Sequence, residues 1–315
     1  MIGKYTKYAA DLLRRGQLVA IPTETVYGLA GNALDVKAVS EIFSVKQRPS
    51  FDPLIIHLPD VASIEAYVAA FPDALLELAR KFMPGPLTLL LPRSSLIPDL
   101  ITAGSDRVAI RIPSHVVAQN LLHQLDFPLA APSANPFGYI SPTSAEHVAQ
   151  QLGDKIPYIL DGGPCVVGLE STIVGMEQNE ITVYRKGGIP LEAIEAVIGK
   201  VKVRAHSTSN PNAPGMLKSH YAPRIPLRIG EVETFLKKFP KDRIGVLSFR
   251  KFKPDIPKAH QVCLSQSGDY KEAAQNLFAS MRYLDSLALD LIVAELLPEE
   301  DLGTAINDRL RRAAA

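Results

Sequence analysis

Five short segments of the chain carry polar, small or cationic residues at the ends of apolar runs, which is where open α/β sheets bind ligands. In Pro22-Thr23-Glu24-Thr25-Val26-Tyr27-Gly28-Leu29, hydroxyls and a carboxylate follow directly on Leu18–Ile21. They suit either a small zwitterion or a polar turn with a capping role. Lys46-Gln47-Arg48-Pro49 leads on to Asp52-Pro53-Leu54-Ile55-Ile56-His57. Two cations beside a proline make a clamp for phosphate oxygens, yet cations at a helix C-terminus are also favoured by the helix dipole. His57 alternates with Ile55, so a sheet histidine and a ligand-binding one both fit. Arg111, in Val108-Ala109-Ile110-Arg111-Ile112-Pro113, is costly to bury without a bidentate partner, either a protein carboxylate or the carboxylate of a bound amino acid. Leu129–Ala131 opens into Pro132-Ser133-Ala134-Asn135-Pro136 and continues to Ser141, a rigid stretch that admits a planar base or a phosphate. Gly168-Leu169-Glu170-Ser171-Thr172-Ile173 and Tyr184-Arg185-Lys186-Gly187-Gly188 form the fifth set, with Arg185 a further phosphate contact.

The chemistry is narrowed by what the sequence lacks. It has no Gly-x-x-x-x-Gly-Lys-Ser/Thr loop, no Gly-x-Gly-x-x-Gly after a strand, no His-Glu-x-x-His and no Gly-x-Ser-x-Gly. The seven histidines show no tight metal-ligand spacing, and two cysteines, Cys165 and Cys263, make neither a disulfide framework nor a cysteine-rich zinc site. An enzyme without a covalent nucleophile or a structural metal is expected.

These segments need elements to hold them. Helical spacing is read over Tyr5–Arg15, from Asp35 as cap to Lys46, over Ser114–Leu125, from a Thr143/Glu146 capping box to Leu152, and over Leu191–Ile198. Strands are read at Leu18–Ile21, Leu54–Leu58, Leu87–Leu91, Val108–Ile112, Ile156–Leu160, Ser171–Val174 and Ile181–Tyr184, the last two close enough for a hairpin in a mixed sheet. Residues 204 to 226 hold four prolines and few apolar residues, a linker by composition. Beyond it, strands at Ile244–Phe249, Val262–Leu264 and within Asp290–Glu295 alternate with helices Tyr270–Leu287 and Thr304–Arg312, a small doubly wound α/β unit. The chain of 315 residues fits two domains at about 150 residues each. The expected division is 1–203 for a catalytic domain, 204–230 for a linker that serves as an active-site lid, and 231–315 for a Rossmann-like domain.

Composition sets the class. Hydrophobic residues at 47% and charged residues at 21% describe a globular protein. A net charge of +1 lacks the basic excess of a protein built to grip nucleic acid, and from Glu231 onward 13 basic residues balance 13 acidic ones. Charges punctuate both the N-terminal segment and Leu284–Leu297, so neither a secretory signal nor a membrane span is expected, and the cytoplasm is the expected compartment.

Together the segments resemble the threonylcarbamoyl-adenylate synthase family, in its longer form with a YrdC-type catalytic domain and an appended C-terminal domain. PTETVYGL (22–29), KQRP…DPLIIH (46–57), MPGPLTLLL (83–91), VAIRIP (108–113), APSAN (131–135), GLESTI (168–173), YRKGG (184–188) and PGMLKSHYAP (214–223) carry the resemblance. It implies a YrdC-type twisted mixed sheet with helices, followed by the small α/β domain. It also implies condensation of L-threonine, bicarbonate or CO2 and ATP into threonylcarbamoyl-AMP and pyrophosphate, a nucleotidyl transfer. A downstream tRNA threonylcarbamoyl transferase machinery would then act on an adenosine beside the anticodon. On the matching positions, Thr25, His57, Arg111 and Ser171 would bind threonine. Lys46, Arg48, Ser133, Asn135, Ser141 and Arg185 would bind ATP, with Asp52 nearby, and His220 and Tyr221 would fold over the nucleotide. Lys46 and Arg48 would be the catalytic cations, Mg2+ would arrive with ATP, and no tightly bound protein-ligated metal is implied.

Several positions depart from the family pattern. Asp52 stands where asparagine is expected and needs Lys46 or a metal to offset its charge. Arg107 replaces a small hydroxyl residue, Ala131 a threonine, and Ala213 and Ser219 alter the linker motif. Two other readings are weighed. Carbamoyl-adenylate chemistry of the hydrogenase-maturation type belongs to longer chains with paired-cysteine zinc motifs. An RNA-binding module of the same fold would use Lys46, Arg48, Arg107, Arg111 and Arg185 as a basic surface, but these cations are expected to be buried, which favours a small polyanion and little direct nucleic-acid binding.

Overall fold

The computed structural model describes residues 1–204 and 220–315. Eleven strands form one mixed sheet, in the order Ile2–Gly3, Tyr158–Leu160, Val19–Ile21, Gly28–Asn32, Leu129–Ala130, Ile55–His57, Arg107–Arg111, Leu87–Pro92, Thr172–Glu177, Glu180–Arg185, Lys202–Val203. The expected hairpin is present, with Thr172–Glu177 antiparallel to Glu180–Arg185 and a register shift just before Arg185. Register places the candidate residues side by side. His57 pairs with Arg111, Arg111 with Thr88, and Thr88 with Ile173, so these residues form one row across four strands.

The strand Gly28–Asn32 and the helix Asp73–Phe82 are additions to the sequence reading. Helix Val36–Lys46 starts at the expected cap: the Asp35 carboxylate accepts from Lys37 N at 2.9 Å. It ends at Gln47 in the left-handed region (φ 54°), which turns the chain so that Lys46 and Arg48 face inward from one helix end. The later cap is corrected by one residue. Ser144, not Thr143, accepts from His147 N at 3.3 Å and opens the helix Ala145–Leu152. The helix expected over Ser114–Leu125 is shorter, Val116–Leu122, because His115 caps it through its own ring nitrogen.

The second unit is a four-stranded, all-parallel sheet in the order Leu227–Ile229, Leu291–Ala294, Ile244–Ser248, Gln261–Cys263. Leu227–Ile229 lies inside the stretch read as linker and is instead a strand. Of the linker itself, residues 205–219, with Ala213 and Ser219, lie outside the described residues. The helices Tyr270–Asp285 and Gly303–Ala313 cover one face of this sheet. Val232 and its helical neighbours pack on the other, as a doubly wound unit requires. One apolar cluster joins the units: Val26, Ile140, Leu169 and Tyr221 pack with Phe278, Leu277 and Ile306.

Candidate active site

A hollow opens where these strand ends meet. It is lined by Thr25, Arg48, His57, Arg111, Ser133, Ser171, Arg185, His220 and Tyr221, together with Glu170 and Ala131. Lys46, Asp52, Asn135 and Ser141, also expected at the site, stand behind that lining and hold it. Arg107 lies away from it, donating to the Tyr184 hydroxyl at 2.7 Å.

On one side, the Thr23 hydroxyl caps its own turn, accepting from Val26 N at 3.2 Å, and this fixes Thr25. The Thr25 hydroxyl accepts from Arg111 Nη1 at 2.7 Å, and Glu24 Oε1 accepts from Arg111 Nη2 at 2.6 Å. Arg111 therefore has a protein carboxylate as partner, one of the two readings its burial left open. Its Nε remains buried with no hydrogen-bond partner among the described residues, so one edge of the fork is available for a ligand. His57 beside it is buried with Nδ1 in the same condition. Burial first, and the Arg111 charge second, push its pKa down to about 3, so the imidazole is neutral and can accept a proton-bearing ligand group.

The cationic side is built from helix end and loop. Lys46 Nζ donates to the main-chain carbonyls of Ser133 and, at 2.5 Å, Asn135. Burial and then the Arg48 charge hold this ammonium well below the ordinary lysine range. Lys46 thus pins the Pro132–Pro136 loop rather than pointing into the hollow. Arg48 donates to the Asp52 carbonyl at 3.1 Å and the Pro53 carbonyl at 2.8 Å. Its Nη2 also lies 2.9 Å from Asp52 Oδ2, an ion pair by distance that lacks hydrogen-bond alignment, since both Asp52 oxygens go without one. The charge of Asp52 is therefore met by Arg48, four residues away on the same turn, with Lys46 close enough to interact with it as well. Phe137 lies under the guanidinium, 5.7 Å to the ring centre.

Ser171 links the two sides. Its hydroxyl pairs with Thr88 Oγ1 at 2.6 Å and accepts from Arg185 Nη2 at 3.0 Å. Arg185 is buried, which brings its pKa down to about 10. The Ser141 hydroxyl donates to Glu170 Oε1 at 2.7 Å, and Asn135 Nδ2 donates to the Pro136 and Tyr139 carbonyls at 2.8 and 2.9 Å. His220 and Tyr221 close one wall, their rings 4.2 Å apart, with Tyr221 stacked on Phe278 at 5.4 Å. Burial, then Arg312, Arg48 and Lys46, keep His220 neutral.

Two groups of site residues were not singled out by the sequence reading. Glu24 is read there only as part of a polar set for a zwitterion or a turn, not as the partner of Arg111, and Glu170 sits inside a quoted segment with no role of its own. Arg309 and Arg312 come from the second unit. The signal for Arg309 was present: it falls on the apolar stripe of its helix with Ala305, Ile306 and Ala313, where an arginine demands a buried carboxylate. Among the described residues no group of three or more His, Cys, Asp or Glu could hold a metal ion, and no helix is long and apolar enough to cross a membrane.

Fold and hollow together define an α/β protein with a cationic, partly apolar ligand site that a second α/β unit helps to close. Residues 11–187 match the family model described as Telomere recombination, and residues 189–315 match the model described as Threonylcarbamoyl-AMP synthase, C-terminal domain. The threonylcarbamoyl-AMP synthase of Pyrococcus abyssi is 40% identical over 98% of this chain and 93% of that protein. The Bacillus subtilis threonylcarbamoyl-AMP synthase is 39% identical over 97% and 92%. The crystal structure of P. abyssi Sua5 complexed with L-threonine superposes with a TM-score of 0.92 at 39% identity, covering 100% of this chain and 96% of that one. The chain belongs to the threonylcarbamoyl-AMP synthase family, as its motifs led one to expect.

Proposed function

We propose that this protein is an L-threonylcarbamoyladenylate synthase, a nucleotidyltransferase that joins L-threonine, bicarbonate or CO2 and ATP into threonylcarbamoyl-AMP and pyrophosphate. A tRNA threonylcarbamoyl transferase system would consume the product, and the cytoplasm is the fitting compartment. The observation that carries the reading is that Arg48 and Arg185 line one hollow together with Arg111, His57 and Thr25. One side suits a triphosphate, the other a hydroxy-amino acid.

The chemistry needs no enzyme nucleophile. Threonine's amine takes up CO2 to give a carbamate, losing one proton, and a carbamate oxygen attacks the α-phosphorus as the bond to pyrophosphate breaks. Arg111, aimed by Glu24 and Thr25, receives the threonine carboxylate on its remaining edge. Neutral His57 accepts a hydrogen bond from the amino acid, which an imidazolium would repel. Arg48 and Arg185 offset the charge that builds on the phosphates, and Lys46 holds the Ser133–Asn135 loop against the nucleotide. Mg2+ enters as part of the magnesium–ATP substrate. Asp52 beside Arg48 is paired with that guanidinium, and Glu170 beside Arg185 is paired with Arg309, so each makes a poor independent magnesium ligand. His220 and Tyr221, on the second stretch of linker, shield the mixed anhydride from water. The division into a catalytic domain 1–203 and a second domain belongs to the same proposal, with the second domain beginning no later than the strand Leu227–Ile229.

An RNA-binding role would need these cations at the surface, and Lys46, Arg48, Arg111 and Arg185 are all buried. The test is pyrophosphate release from ATP by the purified protein. Release should require both threonine and bicarbonate, and serine or glycine should substitute poorly. Release that is indifferent to threonine would overturn the proposal.

A further inference from the structure

The second unit reaches the hollow from the helix Gly303–Ala313, whose Arg309 and Arg312 both lie over the Tyr221 ring. Arg309, on the helix Gly303–Ala313, is completely buried. Its Nε donates to Glu170 Oε2 at 2.8 Å, its Nη2 to the Lys186 carbonyl at 2.9 Å and its Nη1 to Asp308 Oδ2 at 2.7 Å. Its guanidinium carbon lies 5.3 Å from the centre of the Tyr221 ring. Three parts of the site, the Glu170 carboxylate, the Arg185–Lys186 main chain and the closing Tyr221, are thus gripped by a single planar group. Glu170 in turn holds Ser141, through its other oxygen.

We infer that Arg309 is a positioning residue for nucleotide binding, through which the C-terminal unit neutralises Glu170 and seats Tyr221 over the phosphates. Glu170 lines the hollow and would otherwise present a carboxylate to a polyanion. Burial alone would raise its pKa, yet Arg309 and then Arg185 hold it below the usual carboxylate range, so it is ionised and depends on those cations. Arg185 is also the proposed phosphate contact. Without Arg309 it would be drawn to Glu170 and away from ATP. The inference rests on the synthase reading and gives the appended unit a part in it.

The experiment compares Arg309→Met, Arg309→Lys and the double variant Arg309→Met/Glu170→Gln with wild type, reading KM and kcat for pyrophosphate release and ATP binding by calorimetry. Arg309→Met should raise the KM and Kd for ATP about tenfold or more, with the threonine KM changed less than about twofold, as expected for a buried charge left unpaired. The double variant, in which the Glu170 charge is removed together with its partner, should recover most of the ATP affinity. Arg309→Lys keeps the charge but loses the fork and should sit between. ATP affinity within about twofold of wild type in Arg309→Met would overturn the inference, as would a loss that the double variant does not recover. If Arg309→Met does not fold, Arg309→Lys decides, and ATP affinity equal to wild type in that variant overturns it. Wild-type protein that binds ATP but releases no pyrophosphate would strike the synthase reading instead, and the calorimetric arm still judges Arg309.

Discussion

Arg48 shows how closely stability and chemistry share atoms here. Its guanidinium closes the turn through the Asp52 and Pro53 carbonyls and meets the Asp52 charge, while its face lines the hollow. Arg48→Ala should cost at least about 2 kcal/mol of transition-state stabilisation, read from kcat/KM for pyrophosphate release, because it removes a cation and leaves Asp52 uncompensated beside the phosphates. Arg48→Ala/Asp52→Asn should be less impaired than Arg48→Ala alone, and equal impairment would mean that Asp52 does not act on the nucleotide. His57 gives a second residue-scale expectation. Its pKa is about 3 in the fold and 6.5 for an unperturbed side chain. Between those values the unfolded chain binds a proton that the native state refuses, so stability rises with pH through this window and is lost as pH falls below 6.5. The loss from this one group is about 1.4 kcal/mol per pH unit. Urea unfolding at a series of pH values should show it, and His57→Gln should remove about one proton's worth of that slope. An unchanged slope would mean that His57 is not held neutral.

At the scale of elements, the site depends on loops pressed against strands with no room to spare. A Cβ on Gly187 would meet the Glu170 carbonyl oxygen and come within 2.5 Å of the Ser171 carbonyl carbon. Gly187→Ala should therefore push Ser171 off Arg185, raise the threonine KM several-fold and lower stability by about 1–3 kcal/mol, measured by kinetics and by urea midpoint. A threonine KM equal to wild type would show that the strand end tolerates the shift. The sequence made much of this scaffold legible. Asp35 before an apolar-periodic stretch marks a cap, and the closeness of the strands read at Ser171–Val174 and Ile181–Tyr184 marks a hairpin. Gly28–Asn32 was not legible, because Gly-Leu-Ala-Gly-Asn has no strand preference of its own. It is a strand because it lies between Val19–Ile21 and Leu129–Ala130, and its glycines let neighbours approach. The helix Asp73–Phe82 did carry a signal, with Leu75, Leu78 and Ala79 on one buried stripe after Pro72. What pattern could not give was the partner of each polar group. Arg111 announced that it needed a carboxylate, but the choice of Glu24, 87 residues earlier, is set by the sheet order that lies between Val19–Ile21 and Arg107–Arg111.

For the whole molecule, the question is whether the two units fold and close as one body. Their junction is polar and specific as well as apolar. Arg282 donates to the Ile140 and Ser141 carbonyls and to Gln151. The Tyr139 hydroxyl donates to Asp285 Oδ2 at 2.5 Å, and the carboxylate also accepts from Arg224 Nε at 3.0 Å. Ser141 and Tyr139 belong to the loop that follows the Ser133–Asn135 segment, so the second unit holds the nucleotide loop in place from behind. Gly168 packs closely at the junction. Its φ of +74° is in the left-handed region, and a Cβ there would lie 2.5 Å from Gln275 Cα and 2.6 Å from the Ala274 carbonyl oxygen, all rigid helix backbone. Gly168→Ala must then either strain the loop or part the units, at an expected cost of at least about 2 kcal/mol from backbone strain and overpacking together. Calorimetry should show wild type unfolding in one transition, because the buried Arg309–Glu170 ion pair and a shared apolar cluster cross the junction. The variant should unfold at lower temperature and bind ATP more weakly, since parting the units withdraws Arg309 from Glu170 and unseats Tyr221 together. Two separate transitions in wild type, with the first-unit transition unmoved by Gly168→Ala, would mean that each unit is stable without the other and that the hollow is not built by both.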